Sequence, residues 1–261
     1  MDKAGKSHWD GFWDVRAQAR PESSRFPVLR GYRNAKQAEF MRQALTGIET
    51  QGKKVLELGC GDSVWLPYFA KEYGFEVWGL DYSEIGCELA RNVLRRENLS
   101  GEIICGDIFS PPQSILGTFD LMISFGVLEH YEDLQSRLKL LARFLKPGGL
   151  MLTSIPNFRG AVGWMQKVLG PRIYETHVPW KKRDFEEQLT LAGFQLLDCR
   201  YVLLHDFAIC IVDPPTAPKD GLFAFLKAWT GVAMLFENKF GYFPLNRITA
   251  SYIYSLCRKP S

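Results

Sequence analysis

Gly59 and Gly61 stand one residue apart after a short apolar run, Val55 to Leu58, and a helical pattern, SVWLPYFAKEY, begins directly behind them. A strand that turns through glycines into a helix sets bare backbone N–H groups and a helix N-terminus against a ligand. Dinucleotide sites use the spacing G-x-G-x-x-G. Here Val64 holds the third position, so the spacing predicts a related ligand rather than a dinucleotide. Asp81 lies 20 positions beyond Gly61, the separation at which a carboxylate reaches a ribose diol. Asp107 follows a third apolar run and could accept from an adenine amino group, with Tyr82 and Ile108 flanking the ring. Ser124 and Phe125 close a fourth run, which completes a pocket for an adenosine whose tail passes the glycine turn. Two histidines could take a proton there: His130 in LEHYED and His177 in YETHVPW. His130 also reads as a helix-start residue bonded to a neighbour. His8 and His205 have no such context.

Such residues need a scaffold that gathers strand ends. Between residues 53 and 157 the runs KVLELG, FEVWGLD, EIICGD, FDLMISF and LMLTSIP alternate with helical stretches at 63–73, 83–97 and 132–145 and a looser connection at 109–118. Short apolar runs separated by helix-length segments predict a parallel sheet with right-handed crossovers. In such sheets ligands sit at the carboxyl ends of the strands. Ser83 is placed to cap the second helix and Gly74 to stop the first. The expected organisation is one domain, 1–261, with a helical cap over 1–50 that carries Trp9, Trp13, Tyr32 and Phe40. A cofactor-binding core covers 53–157, and a glycine-rich lid insertion covers 158–181. The remainder, 182–261, holds a helix, two further strands (QLLDCRYVLL and ASYIYSLCRK) and an apolar insertion near 212–248. A connection that long and that apolar is more often functional than idle.

Composition narrows the classes. The chain has 261 residues, 46% of them apolar, enough for a full core. A net charge of +3 with scattered Lys and Arg argues against nucleic acid. Six cysteines (60, 87, 105, 199, 210, 257) form no C-x-x-C pair and read as reduced thiols of a cytoplasmic protein. The stretch MDKAGKSHWDGFWD lacks an apolar h-region, so no secretory signal is expected.

In order and spacing, VLELGCGDS, GLDYSEIGCELAR, GDIF, FDLMISFGVLEH and LKPGGLMLTSIPN resemble the successive motifs of class I S-adenosylmethionine-dependent methyltransferases, small-molecule type. The match weakens after Asn157, although HVPWKKRDFEEQLTLAGF recurs in small-molecule members. The resemblance implies an α/β, Rossmann-like sheet of seven strands, mostly parallel, with helices on both faces. Its last strand would run antiparallel, inserted beside the fifth. It implies S-adenosylmethionine as cofactor, with Gly59, Cys60 and Gly61 near the methionine moiety and Glu57 orienting the loop. Asp81 would hold the ribose, Asp107 the adenine amine, and Tyr82 and Ile108 the base, with Ser124 and Phe125 at the next strand end. Where the family usually has a third glycine this chain has Ser63, which can cap the following helix.

Methyl transfer from a sulfonium requires alignment above all, and an O- or N-acceptor gains from a base; His130 and His177 are the candidates. Ubiquinone-pathway O-methyltransferases resemble this region but carry E-x-x-E-H, a possible divalent-metal site. Here Gly126 replaces the first Glu, leaving only Glu129 and His130, so no metal is expected. The fourth strand lacks N/D-P-P-Y and Pro-Cys, the marks of base-methylating relatives. The expected acceptor is therefore a small or lipid-like, apolar or aromatic molecule. Residues 222–236 could pack as core and lid, lie in a membrane interface or form a homodimer contact. The rival readings are a nicotinamide-dependent oxidoreductase and a binding protein that has lost its chemistry.

Overall fold

The computed structural model describes residues 3–18, 27–214, 216–240 and 245–261. Its seven strands are β1 (Lys54–Leu58), β2 (Glu76–Asp81), β3 (Glu102–Cys105), β4 (Phe119–Phe125), β5 (Leu145–Pro156), β6 (Gln195–Leu204) and β7 (Ala250–Arg258). They form one sheet in the order β3-β2-β1-β4-β5-β7-β6. Strands β1 to β5 pair in parallel, and β7 runs antiparallel to both of its neighbours, β5 and β6. Strand β1 pairs with β2 on one side and β4 on the other, so the winding reverses between β1 and β4. A crevice opens at such a reversal because the crossover helices leave toward opposite faces.

Side chains alternate across a strand, and both faces of this sheet are covered. Leu56, Leu58 and Met122 enter one core with Leu138 of α5 (Leu134–Leu141) and Phe185 of α8 (Lys182–Leu191). Val55, Ile123 and Leu152 enter the other with Met41 of α2 (Pro27–Ala44), Phe69 of α3 (Trp65–Tyr73) and Leu94 of α4 (Glu84–Arg96). The predicted caps are in place. The Ser83 hydroxyl accepts the Gly86 N–H at 3.3 Å, and α3 ends on Gly74 at φ 69°.

The helix expected over 132–145 is shorter. It spans Leu134–Leu141, tightens into a 3₁₀ turn over Ala142–Phe144 and passes into β5 at Leu145. Leu145 pairs with Phe119, and the register shifts before Leu150 pairs with Leu121, so Pro147 to Gly149 are absorbed as an irregularity of the strand.

Residues 158–181 contain α6 (Ala161–Leu169) and α7 (Pro171–Glu175). Between β6 and β7 runs α9 (Ala217–Phe240). Val162 and Leu169 of α6, Phe207 of the 3₁₀ turn Phe207–Ile209 and Leu226 of α9 build a third apolar cluster beyond the sheet. The remaining helix, α1 (Lys6–Gln18), lies against α4.

Candidate active site

The cleft follows from the winding reversal. The turn after β1 requires both glycines. Gly59 has φ +68° and Gly61 φ +36°, and a Cβ on Gly61 would lie 2.1 Å from the Trp13 ring. Asp81, at the end of β2, ties the turn down. One carboxylate oxygen accepts the Gly61 N–H at 3.0 Å and the other the Ser83 N–H at 2.9 Å. Burial raises its pKa against the opposing pull of these N–H donors. The Tyr82 N–H is a third donor to this carboxylate, which leaves acceptor capacity for a ligand hydroxyl.

Beneath the turn Glu57 is buried, and Ser63 explains how the loop stands without a third glycine. The Ser63 hydroxyl donates to Glu57 at 2.7 Å and accepts the Trp65 N–H at 2.9 Å, linking β1 to the first turn of α3. Burial pushes the Glu57 carboxyl up to about 8, with the Asp62 and Asp81 charges adding to the rise and the Ser63 bond opposing it.

The cleft encloses about 670 Å³, within the range of small-molecule sites. Gly59, Asp81, Tyr82, Asp107, Ile108, Phe125 and His130 all line it. Asp107 accepts the Phe109 N–H at 2.9 Å, which fixes the loop after β3. Other expected residues stand behind the wall. Cys60 is buried, and its sulfur lies 2.6 Å from where a Cβ on Gly79 would be, so only its backbone belongs to the turn. Ser124 is wholly buried in β4, whose side chains alternate, so its neighbour Phe125 reaches the cleft instead. His177 reaches the site through His130, at 4.5 Å between ring centroids.

The far wall comes from elements distant in sequence. Trp9 and Trp13 of α1 lie along the cleft with Lys6. Trp9 meets His130 edge-on at 5.3 Å, and Asp10 bonds to Ser83 at the start of α4. Phe109 and Tyr131 complete an apolar corner, closed by Arg137, whose guanidinium carbon lies 4.4 Å from the Phe109 ring centre. These residues carry no motif. The one available signal is the pair Trp9 and Trp13, four apart on one helix face. Cys105, a free thiol, is exposed and lines the cleft at the end of β3.

His130 is buried, and its Nδ1 lies 2.7 Å from the Thr176 carbonyl, which can only accept. When the ring is neutral its proton therefore sits on Nδ1, and the lone pair is on Nε2. The Val178 N–H donates to the Glu129 carbonyl at 2.6 Å, so the loop after α7 is fastened to this turn.

A methyltransferase domain family matches residues 29–198, well over half of the chain. The chain belongs to the S-adenosylmethionine-dependent methyltransferases. It is 29% identical over 181 residues to the ubiquinone biosynthesis O-methyltransferase of Pectobacterium carotovorum, covering 69% of this chain and 70% of that one. Its fold is similar to a methyltransferase from Bacillus halodurans (TM-score 0.59, 20% identity, 87% of this chain and all of that one). It is also similar to Haemonchus contortus phosphoethanolamine N-methyltransferase 2, solved with phosphomonomethylethanolamine and S-adenosylhomocysteine (TM-score 0.59, 16% identity, 87% and 53%). At such identities the two structures speak for the fold alone.

In this methyltransferase the fold adds a donor that the local motif lacks. Ligand atoms of Glu129, His130 and His177 lie within 4.8 Å of one another. One Glu129 oxygen is buried with no hydrogen-bond partner, and burial raises that carboxyl to about 8. The His177 Nδ1 lies 2.8 Å from the Ile173 carbonyl, so both imidazoles are held through Nδ1 as metal-ligating histidines usually are. Two imidazoles and an unsatisfied buried carboxylate fit a divalent cation of the zinc, iron or manganese type.

Proposed function

We propose that this methyltransferase transfers the methyl group of S-adenosylmethionine to a hydroxyl on a small apolar or aromatic acceptor. The observation that carries the acceptor class is the far wall of the cleft, where Trp9, Phe109, Val127 and Tyr131 stand beside His130. An apolar ring fits between them, and a hydroxyl is the acceptor atom that gains most from a neighbouring proton acceptor. The O-methyltransferase activity named for its curated relatives points the same way.

In this reading the cofactor's carboxylate meets the N–H groups of the glycine turn, Asp81 accepts from the ribose hydroxyls, and Asp107 accepts from the adenine amine. Tyr82 and Ile108 flank the base. Alignment of acceptor oxygen, methyl carbon and sulfur supplies most of the rate. As the oxygen–carbon bond forms and the carbon–sulfur bond breaks, the hydroxyl proton passes to Nε2 of His130. The Thr176 carbonyl steadies the resulting imidazolium through Nδ1. The products are the methyl ether and S-adenosylhomocysteine.

The orphaned Glu129 oxygen favours a second reading of the same corner. Glu129, His130 and His177 would hold a divalent cation, which when bound would lower the pKa of an acceptor hydroxyl so that its proton could leave to water without a protein base.

The test is titration calorimetry with S-adenosylmethionine and S-adenosylhomocysteine. Mass spectrometry of phenols, alcohols and amines incubated with enzyme and cofactor follows, with and without prior chelation. Saturable binding at roughly micromolar concentrations and methylated phenols support the reading, and methylated amines alone overturn the hydroxyl assignment. Activity lost on chelation and restored by a cation selects the second reading; activity indifferent to chelation selects the first.

A further inference from the structure

Helix α9 lies outside the residues matched by the methyltransferase family and exposes apolar side chains along most of its length. Its inward side carries Leu226 and Ala233 together with two polar residues, Thr230 and Glu237, all four buried. The Thr230 hydroxyl donates to the His205 carbonyl at 3.1 Å and accepts the Phe207 N–H at 3.0 Å. Glu237 accepts from the Tyr32 hydroxyl, with the Lys36 ammonium 4.0 Å away. Its outward side carries Phe225, Trp229, Val232, Leu235, Phe236 and Phe240, each between 44% and 65% exposed. The steps 225, 229, 232, 236 and 240 follow the helical repeat, so these side chains form one stripe of about 22 Å. A surface helix ordinarily turns its polar face outward, and a continuous exposed apolar stripe marks an interaction surface. On the neighbouring α6, Trp164 and Val168 are exposed as well.

The charges around the stripe choose the occupant. Helix α9 carries Lys219, Lys227 and Lys239 against two acids, Asp220 and the buried Glu237. The Lys227 ammonium lies 4.3 Å from the Phe223 ring centre, and that of Lys239 5.6 Å from Phe240. Lysines that lay their stems along apolar rings and carry their charge to the margin suit a surface of apolar chains under anionic headgroups. A second copy of this chain would bring lysine against lysine with little acid to match, which disfavours self-association. No helix among the described residues is long and apolar enough to cross a membrane.

We propose that α9 is an interfacial docking helix that seats the protein on an anionic lipid surface, with the apolar stripe in the headgroup–acyl boundary and Lys219, Lys227 and Lys239 among the phosphates. The assignment rests on α9 alone and does not depend on the acceptor chosen above.

The test is sedimentation of the full chain with phosphatidylcholine vesicles, with and without 30% phosphatidylglycerol, at low and high salt. The expected result is binding to the anionic vesicles at least roughly tenfold tighter than to the neutral ones and weakened by salt. Trp229→Glu with Phe236→Glu should reduce vesicle binding at least tenfold while leaving the calorimetric affinity for S-adenosylhomocysteine unchanged, which certifies the fold. Lys227→Glu with Lys239→Glu should remove the preference for anionic vesicles. No binding to either vesicle overturns the proposal. If analytical ultracentrifugation then shows a dimer that Trp229→Glu disperses, the stripe belongs to a second copy.

Discussion

The two walls of the cleft are built on different principles. The wall formed by the ends of β1, β2 and β3 is made of backbone and short polar side chains. Gly61, Asp81 and Ser83 hold one another through N–H bonds to a single carboxylate, and Ser63 pins the same turn from below. The opposite wall is made of large rings carried by α1 and by the turns at 109 and 128–131, and their packing fixes it. A ligand common to a whole enzyme class can be met by such a fixed frame, whereas an acceptor that differs from enzyme to enzyme needs a wall whose shape is free to change. That contrast predicts that substitutions on the first wall affect cofactor binding and those on the second affect turnover.

The sharpest break is Asp81→Ala. It removes the anchor of the glycine turn and, in the proposed reading, the ribose acceptor, and two bonds to a charged group are together worth about 3 kcal/mol or more. Cofactor affinity measured by calorimetry should fall by at least about 100-fold. On the other wall, His130→Ala should lower the turnover number by about 10²–10⁴-fold while changing cofactor affinity less than about threefold. If the two variants behaved alike, the division between the walls would be wrong. Trp13→Ala tests the border, because that ring touches Gly61 from the far wall. A few-fold loss of affinity from lost ring packing is expected in the same titration.

The smallest effect concerns the frame itself. Burial holds the Glu57 carboxyl at about 8, above its ordinary 4.5, so the folded protein keeps a proton that the unfolded chain has released between those values. Stability should therefore fall as pH rises from about 4.5 to about 8 and level off beyond. Glu57→Gln should make that slope shallower in urea unfolding followed at pH 5, 7 and 9. Glu129, raised in the same direction, retains its own share.

How far the sequence could be read follows the same division. That Gly59, Asp81 and Asp107 would meet at one wall was legible because each lies at the end of its own strand, and strand ends can be aligned by eye. Gly61 and Asp81 are 20 residues apart yet meet because β1 and β2 are neighbours. The opposite wall depends on contacts that no local spacing encodes, such as Trp13 against Gly61 or His177 against His130. In α9 the apolar character of 222–236 was visible, but not that it faces outward. Its inward partners, Tyr32, Lys36 and His205, come from a distant helix and a strand end.

The position of β7 also bears on how the chain is made. Strand β6, residues 195–204, lies at the sheet edge and pairs with β7 alone, whose residues, 250–258, leave the ribosome roughly 46 positions later. Until then β5 and β6 both present open backbone edges, and the apolar stripe of α9 emerges in the interval. Nascent chains halted in this window should be the ones that chaperones hold most strongly.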